Sequence, residues 1–328
     1  MRVNLFMTIL LTSAGRRTQL TKYFRDNFNK VVTADCSSVA PALYETAEGY
    51  IVPRINNNNY LDILIDICKK EQLKGIISLI DPELSLLAYE KDKLKDHDIL
   101  PIVSDYHVTE ICFDKLEMYN FLKENSYYCA NTYSNLEDFK QDYQEGKVSL
   151  PVFIKPQKGS ASIGINQVNN FEDLQVLMNK REDLIIQEYL NGEEYGIDVY
   201  VDLISKGIVS IFAKKKVKMR AGETDKAVSI KDDKLFELVE DFIYKLGVIG
   251  PIDIDIFKID GEYYISEVNP RFSGGYLLAY ECGENYPLYI KNNLEGIKNH
   301  RSVGNYQEGI YMMKHDTISI KKESELIK

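Results

Sequence analysis

The sequence predicts an α/β unit with a parallel sheet, followed by an α+β unit built on antiparallel sheets. Residues 1–104 alternate short apolar β-type runs with amphipathic helical stretches, the rhythm of a parallel sheet with helices on its faces. From residue 151 the rhythm changes to closely spaced β-type runs broken by turns, with only a few helices between them. The natural boundary lies near 104–110, and 328 residues are enough for two or three compact units.

The elements follow in order. Met1-Arg2, the apolar run Val3–Leu11 and Ser13-Ala14-Gly15 have the outline of a signal peptide, but Asn4 interrupts the run and Arg16-Arg17 follow at once. The segment therefore reads as a buried first strand, Thr8–Thr12. Arg17–Asn27 is a helix and Val31–Asp35 a strand. Asn59–Glu71 is a helix with Leu61, Leu64, Ile65 and Cys68 at helical spacing. Gly75–Ile80 is a strand, Glu83–Lys95 a helix, and Ile99–Val103 closes the unit. Ser13-Ala14-Gly15, Asp35 and Asp81-Pro82-Glu83 then fall at the carboxyl ends of strands, where parallel sheets collect ligands. Residues 105–150 are helix-rich, with a helix over Thr109–Asn125. The later β-type runs are Val152–Lys155, Ile185–Leu190, Tyr195–Leu203, Ile208–Ala213, Ile252–Lys258 and Glu262–Val268, with helices at Phe171–Asn179 and Lys234–Leu246.

Bulk chemistry narrows the partners. A net charge of −10 and a pI of about 5.1 argue against nucleic acid or an anionic membrane as a partner. The five cysteines (36, 68, 112, 129 and 282) are odd in number and form no metal-type pairs, so free thiols in a cytoplasmic protein are expected. Beyond the first strand no run approaches the roughly 20 apolar residues of a membrane span.

Three segments carry chemistry. Phe153-Ile154-Lys155-Pro156 ends in a lysine, and Gln157–Gly164 follows as a loop of small and hydroxyl residues that includes Gly159, Ser160 and Ser162. Such a loop either lays backbone amides on phosphate oxygens, with Lys155 as a point charge, or is a plain solvent loop. In Ile185–Tyr195 an apolar strand runs into Gln187, Glu188, Tyr189, Leu190 and Glu194. The exposed backbone of a strand end can read an adenine edge, and a carboxylate can accept from ribose hydroxyls; solvated acids beside a turn are the alternative. In the third segment, Ile252–Phe257 and Tyr264–Arg271 flank Asp260-Gly261 and read as a hairpin. Strand alternation puts Asp253 and Asp255 on one face, and Glu267 and Asn269 on one face of the second strand. Asp255, Glu267 and Asn269 are three oxygen ligands suited to one or two Mg²⁺ ions held together with phosphates. Residues 255 and 267 oppose each other only across an odd-numbered loop, so a three-residue loop centred on Gly261 is expected; a strict two-residue turn pairs 255 with 266, puts Glu267 on the opposite face and sinks the shared-metal argument. Arg271 then stands beside the ligands, placed to neutralise a transferring phosphoryl group or a tetrahedral intermediate. Lys214–Arg220 is a basic island in an acidic chain. It reads either as a solvated edge strand with charged gatekeepers or as an electropositive wall facing phosphates and an anionic substrate.

In order and spacing these segments resemble the ATP-grasp superfamily, in particular stand-alone relatives of the carbamoyl-phosphate synthase large subunit. The resemblance implies an N-terminal preATP-grasp parallel α/β domain (1–108), an ATP-grasp N-terminal part with a small lid subdomain (109–190) and a C-terminal subdomain with the metal site (191–328). It implies that Lys115 and Lys155 hold ATP phosphates, that Gly159–Gly164 is a mobile loop, that Gln187–Leu190 reads adenine and that Glu194 binds ribose. It also implies that Asp255, Glu267 and Asn269 bind Mg²⁺, or Mn²⁺ in its place, and that Arg271 is the catalytic arginine. Arg220 joins Arg271 and Lys155 as a catalytic candidate because it borders the same expected acceptor region. The expected activity is an ADP-forming ligase that activates a small carboxylate as an acyl phosphate and joins it to an amine. Small-molecule substrates and a homodimer are the expected partners. A non-catalytic ATP-binding module is the competing reading. Asp253 stands where D-alanyl-D-alanine-type ligases carry arginine, and the chain shows one ATP-grasp unit and no glutaminase segment; both weigh against those specific activities. A dinucleotide oxidoreductase is disfavoured because no G-x-G-x-x-G follows the first strand.

Overall fold

The computed structural model describes residues 6–159, 164–181 and 183–328. Ser160 and Ser162 therefore lie outside the described residues. The N-terminal sheet is parallel, in the order β3-β2-β1-β4-β5, and comprises β1 (Thr8–Thr12), β2 (Lys30–Asp35), β3 (Glu48–Ile51), β4 (Gly75–Ser78) and β5 (Leu100–Pro101). The helices of this part are α1 (Thr18–Asn27), α2 (Tyr60–Glu71), α3 (Asp81–Tyr89) and α4 (Lys91–Lys95). β1 is central and buried at every position, which explains its unbroken apolar run. Two features differ from expectation. β3 was not apparent in the sequence, because Glu48–Ile51 is an edge strand without a buried residue. The helix expected over 83–95 is two helices.

Two helices lead out of this unit, α5 (Tyr106–Phe113) and α6 (Lys115–Glu124). The single helix expected over 109–125 breaks at Asp114, whose backbone is extended and whose carboxylate caps α6 through the Leu116 and Glu117 amides. A four-stranded antiparallel sheet follows, β6 (Thr132–Tyr133), β7 (Val152–Pro156), β8 (Asn166–Val168) and β9 (Leu184–Glu188), in the order β6-β9-β7-β8. It carries α7 (Leu136–Gln144) and α8 (Phe171–Met178) around its own small core, with Phe139, Ile154 and Leu174 fully buried.

The largest sheet runs β14-β13-β10-β11-β12-β15 and is antiparallel throughout. Its strands are β10 (Glu193–Val201), β11 (Ile208–Arg220), β12 (Glu223–Ile230), β13 (Gly250–Ile259), β14 (Glu262–Asn269) and β15 (Tyr311–Met313). The helices α9 (Asp233–Leu246), α10 (Tyr276–Glu281) and α11 (Tyr286–Leu294) complete it. Phe242 of α9 and Ile254 of β13 lie in one core with Ile9, Leu11 and Phe24 of the N-terminal unit. That shared core fixes the carboxyl ends of β1 and β4 against the end of β14. Among the described residues, no helix is long and apolar enough to cross a membrane, and all five cysteines are free thiols.

Candidate active site

The hairpin expected from the sequence forms, with a different construction. The turn is a strict two-residue one: Ile259 pairs with Glu262, and Asp260 (φ 50°) and Gly261 (φ 88°) both take left-handed backbone. The three-residue loop is thus not present. The register nevertheless shifts between Asp255 and Ile256, because Ser266 is an extra residue in β14, a β-bulge. Asp255 consequently pairs with Glu267 and Asp253 with Asn269. A bulge re-aims side chains without lengthening a turn, so the carboxylates of 255 and 267 share a face by a route that period-two counting does not see.

That face looks across a cleft at two lysines. Lys155 ends β7 and is 8% exposed. Burial lowers its pKa to about 8, with Lys115 adding to the effect and Glu267 and Asp255 opposing it. Lys115 opens α6, where burial also lowers its pKa against the pull of Glu267. Its Nζ donates to the Gly159 carbonyl at 2.8 Å, and its own amide donates to the Gln157 carbonyl at 3.0 Å. The Gln157 side chain in turn donates to Asp114, at 2.8 and 2.9 Å. The start of the small-residue loop is therefore strapped to the N-terminus of α6, and Lys115 lies near enough to Lys155 to add to the lowering of its pKa.

Beside them a cleft of about 380 Å³ is lined by Lys155, Gln187, Glu188, Tyr189, Leu190 and Glu194, together with Phe257 and Ser266. The Gln187 amide donates to Thr132 at 2.9 Å and the Glu188 carboxylate accepts from the Asn131 amide at 3.0 Å, so both side chains serve to shape the strand end. Tyr189 packs its ring against Phe153. The backbone amides of Tyr189 and Leu190 have no protein partner among the described residues.

The basic island resolves into two faces. β11 is an interior strand, not an edge, and its residues alternate. Lys214 and Lys216 are 1% and 4% exposed at the side chain and point at the site. Gly196 on β10 makes room for them, since a Cβ there would meet the Cε atoms of Lys214 and Lys216 at 3.0 and 3.2 Å. Lys216 bridges Glu194 and Asp255 at 2.7 and 2.6 Å. Burial opposes its charge, but the two acids outweigh burial and raise its pKa. Lys214 pairs with Asp198, which also accepts from Ser273 at 2.7 Å. Arg220 stands apart from all of this. Register shifts after Lys216 and Lys218 carry it to the exposed end of β11, where it binds Asp316 at 2.9 Å and Asp225 at 3.4 Å. It does not join Arg271 and Lys155.

Arg271 follows the hairpin and reaches back to the N-terminal unit. Its Nε donates to Asp81 at 3.0 Å, its NH1 lies 3.8 Å from Asp253, and Asp81 opens α3 at the end of β4. Burial works against its charge, and Asp81 and Asp253 more than compensate. Asp253 itself is pushed up to about 7, first by burial and then by Asp255. Glu83 is fully buried and accepts from Ser13, Tyr60 and Ser78 at 2.7, 2.8 and 2.6 Å, which fixes the Ser13–Arg17 loop. Lys214 and Lys216 were singled out from the sequence only as part of the basic island, and Asp198 and the bulge at Ser266 were not. The signal for their division was the i, i+2 spacing, which puts both lysines on one face of β11; Lys214 stands opposite Gly196 on β10 and reaches Asp198 diagonally.

Residues 112–275, half of the chain, match the family of ATP-grasp domains. The chain belongs to the ATP-grasp family. Residues 9–102 of this ATP-grasp protein also match the PylC-like N-terminal domain. Among curated proteins it is 26% identical over 189 residues to a D-alanine–D-alanine ligase of Ruminiclostridium cellulolyticum, covering 50% of this chain and 49% of that one. It is 22% identical over 224 residues to the carbamoyl phosphate synthase large chain of Clostridium perfringens, covering 64% of this chain and 21% of that one. The chain thus spans about half the length of the first relative and about a fifth of the second. Its fold is that of N5-carboxyaminoimidazole synthetase from Staphylococcus aureus complexed with ADP (TM-score 0.71, 18% identity, 92% of this chain and 80% of that one). It is also that of L-amino acid ligase from Bacillus licheniformis (TM-score 0.68, 18% identity, 90% and 75%).

The oxygen donors fit a hard cation. Among the described residues no three carboxylate, imidazole or thiol side chains converge; Asp255 faces Glu267, and Asn269 on the same strand adds an amide oxygen. Such a set leaves positions for phosphate oxygens, the manner in which Mg²⁺ is held by proteins that bind it with a nucleotide.

Proposed function

We propose that this chain is an ADP-forming ligase that uses ATP and Mg²⁺ to activate a small carboxylate as an acyl phosphate and couples it to an amine. The observation that carries the reading is the facing of Asp255 and Glu267, with Asn269 beside them, near the half-buried Lys115 and the buried Lys155. The curated relatives and fold neighbours support it, since their names include amino-acid ligases and a carbamoyl phosphate synthase chain.

In this reading adenine lies along Gln187–Leu190, its edge read by the Leu190 backbone amide, and Glu194 faces the ribose. Lys115 and Lys155 bind phosphate oxygens. Mg²⁺, or Mn²⁺, held by Asp255, Glu267 and Asn269, supplies charge neutralisation on the transferring phosphoryl group. Arg271 lies next to this set and stabilises the charge that develops when the carboxylate attacks, and again when the amine adds to the acyl carbon. Lys216 is free to turn from Asp255 toward phosphate once that carboxylate has another partner. Arg220 is not assigned a role in the reaction. The division into residues 1–108, 109–190 and 191–328 is part of the proposal, supported by the separate core of the small sheet. The test is ADP release from ATP and Mg²⁺ across a panel of amino acids and small carboxylates, offered singly and in pairs. Release that requires one carboxylate and one amine supports the reading; nucleotide binding without release across the panel contradicts it.

A further inference from the structure

Lys214 and Lys216 find their acids within their own sheet, whereas Arg271 reaches Asp81 on α3 of the N-terminal unit. Its guanidinium is divided between two anchors. Nε donates to Asp81 at 3.0 Å, and NH1 donates to the Phe272 carbonyl at 3.0 Å. NH2 has no hydrogen-bond partner among the described residues. Asp253 lies 3.8 Å from NH1, beyond hydrogen-bond reach. A guanidinium is planar, so fixing it at Nε and NH1 also fixes the direction in which NH2 points. Asp81 is therefore the side chain that aims Arg271.

The backbone on either side of this contact is confined. The Arg271 amide donates to the Asn269 carbonyl at 2.7 Å, Phe272 packs its ring against Phe24 and Tyr276, and Ser273 donates to Asp198 at 2.7 Å. The loop leaves no room for side chains beyond that: a Cβ on Gly274 would lie 3.3 Å from both Arg17 and Glu223, and one on Gly275 would meet the Lys214 Cε at 2.7 Å. Asp81 is equally fixed. It is 5% exposed, and the turn that carries it is tied down by Glu83 through Ser13, Tyr60 and Ser78. With both backbones held, the Asp81–Arg271 contact is what remains to set the orientation of the guanidinium.

Asp81 has no other task in its own helix. It opens α3 behind Ile80, and no side chain caps that helix. Its Oδ1 is buried without a hydrogen bond, although it lies 3.0 Å from the same Nε of Arg271. A buried carboxylate with an oxygen left unsatisfied is costly, and such a group calls for a reason to be kept. The reason on this wall is Arg271.

We propose that Asp81 is a positioning residue of the reaction: held rigidly by the N-terminal unit, it orients Arg271 toward the charge that develops beside the metal ligands, and acts through Arg271 without touching substrate. This rests on the ligase reading above and makes the N-terminal unit part of the catalytic machinery.

The experiment is a double-mutant cycle on the full chain, read as kcat for ADP release, Kd for ADP and thermal melts. Asp81→Ala is expected to lower kcat about 10²-fold, the scale of a misplaced catalytic group, and to leave the Kd for ADP within about threefold. Asp81→Asn keeps the shape and one acceptor oxygen, and is expected to lose about tenfold in kcat, which a packing role alone does not predict. In Arg271→Ala protein, itself slowed, adding Asp81→Ala is expected to change kcat by less than about twofold, because the group it aims is gone. If Asp81→Ala melts below the assay temperature, the cycle with Asp81→Asn decides by the same criteria. Undiminished kcat in the Asp81 variants, the same fold-loss with and without Arg271, or a matching loss of ADP affinity overturns the inference and spares the ligase reading. Near-normal turnover in Arg271→Ala overturns the inference together with the role given to Arg271. Absence of ADP release by the wild type with every carboxylate and amine pair overturns the ligase reading and the inference with it.

Discussion

The two walls of the cleft treat charge in opposite ways. On the nucleotide wall, the half-buried Lys115 and the buried Lys155 have no carboxylate in ion-pair reach among the described residues, and burial lowers both pKa values. On the facing wall, the Lys214, Lys216 and Arg271 side chains are largely buried and each holds an acid. One wall is a standing demand for an anion; the other is neutralised internally and presents geometry. A polyanion therefore has a reason to bind on the first side.

The contrast breaks most severely if the nucleotide wall loses its charge or its facing acids. Lys155→Ala and Glu267→Ala are each expected to lower ADP formation by about 10²- to 10³-fold while the protein stays folded, checked by steady-state rates and thermal melts. Near-normal rates in either variant contradict the assignment. Next in size is proton linkage at Lys155. Its folded pKa of about 8 is depressed, so the charged form is present below pH 8 and lost above it. Bound phosphates favour the charged form, so ADP affinity is expected to fall about tenfold per pH unit above pH 8. Lys155→Arg, which stays charged, is expected to flatten that slope in calorimetric titrations across pH 7–10.

A smaller effect tests the neutralised wall. Lys216→Met leaves Glu194 and Asp255 without their shared cation. These acids are partly solvated, so the loss is expected to be about 1–3 kcal/mol in urea unfolding. The variant is expected to regain stability with MgADP, because the metal replaces the missing charge beside Asp255. Smallest is Gly261→Ala, at a left-handed turn residue with free space around it. It is expected to cost about 1 kcal/mol with little change in turnover.

The same contrast explains what was legible in the sequence. Asp253, Asp255, Glu267 and Asn269 sit on paired strands, where alternation assigns a face, and the observed register pairs 255 with 267 and 253 with 269; Lys155 and Arg271 stand at or just after strand ends. The register of 255 against 267 was anticipated, but its cause was not. The tight turn at Asp260-Gly261 and the bulge at Ser266 are two irregularities that cancel, and a periodic pattern carries no mark of a bulge. The neutralised wall was harder to read because its charges come from separate elements. Lys216 acquires meaning only beside Glu194, Lys214 beside Asp198, and Arg271 beside Asp81, 190 residues away in the chain. A charge run read along one strand gave the basic island but not its division into two buried lysines and an exposed Arg220.

The central claim, phosphoryl transfer to a carboxylate, has a direct test. The substrate carboxylate found by the ADP-release panel is labelled with ¹⁸O and turned over with ATP, Mg²⁺ and the amine, and the released phosphate is analysed by mass spectrometry. An acyl phosphate route predicts one ¹⁸O atom in each phosphate formed alongside ADP. Unlabelled phosphate, or AMP and pyrophosphate in place of ADP, contradicts it.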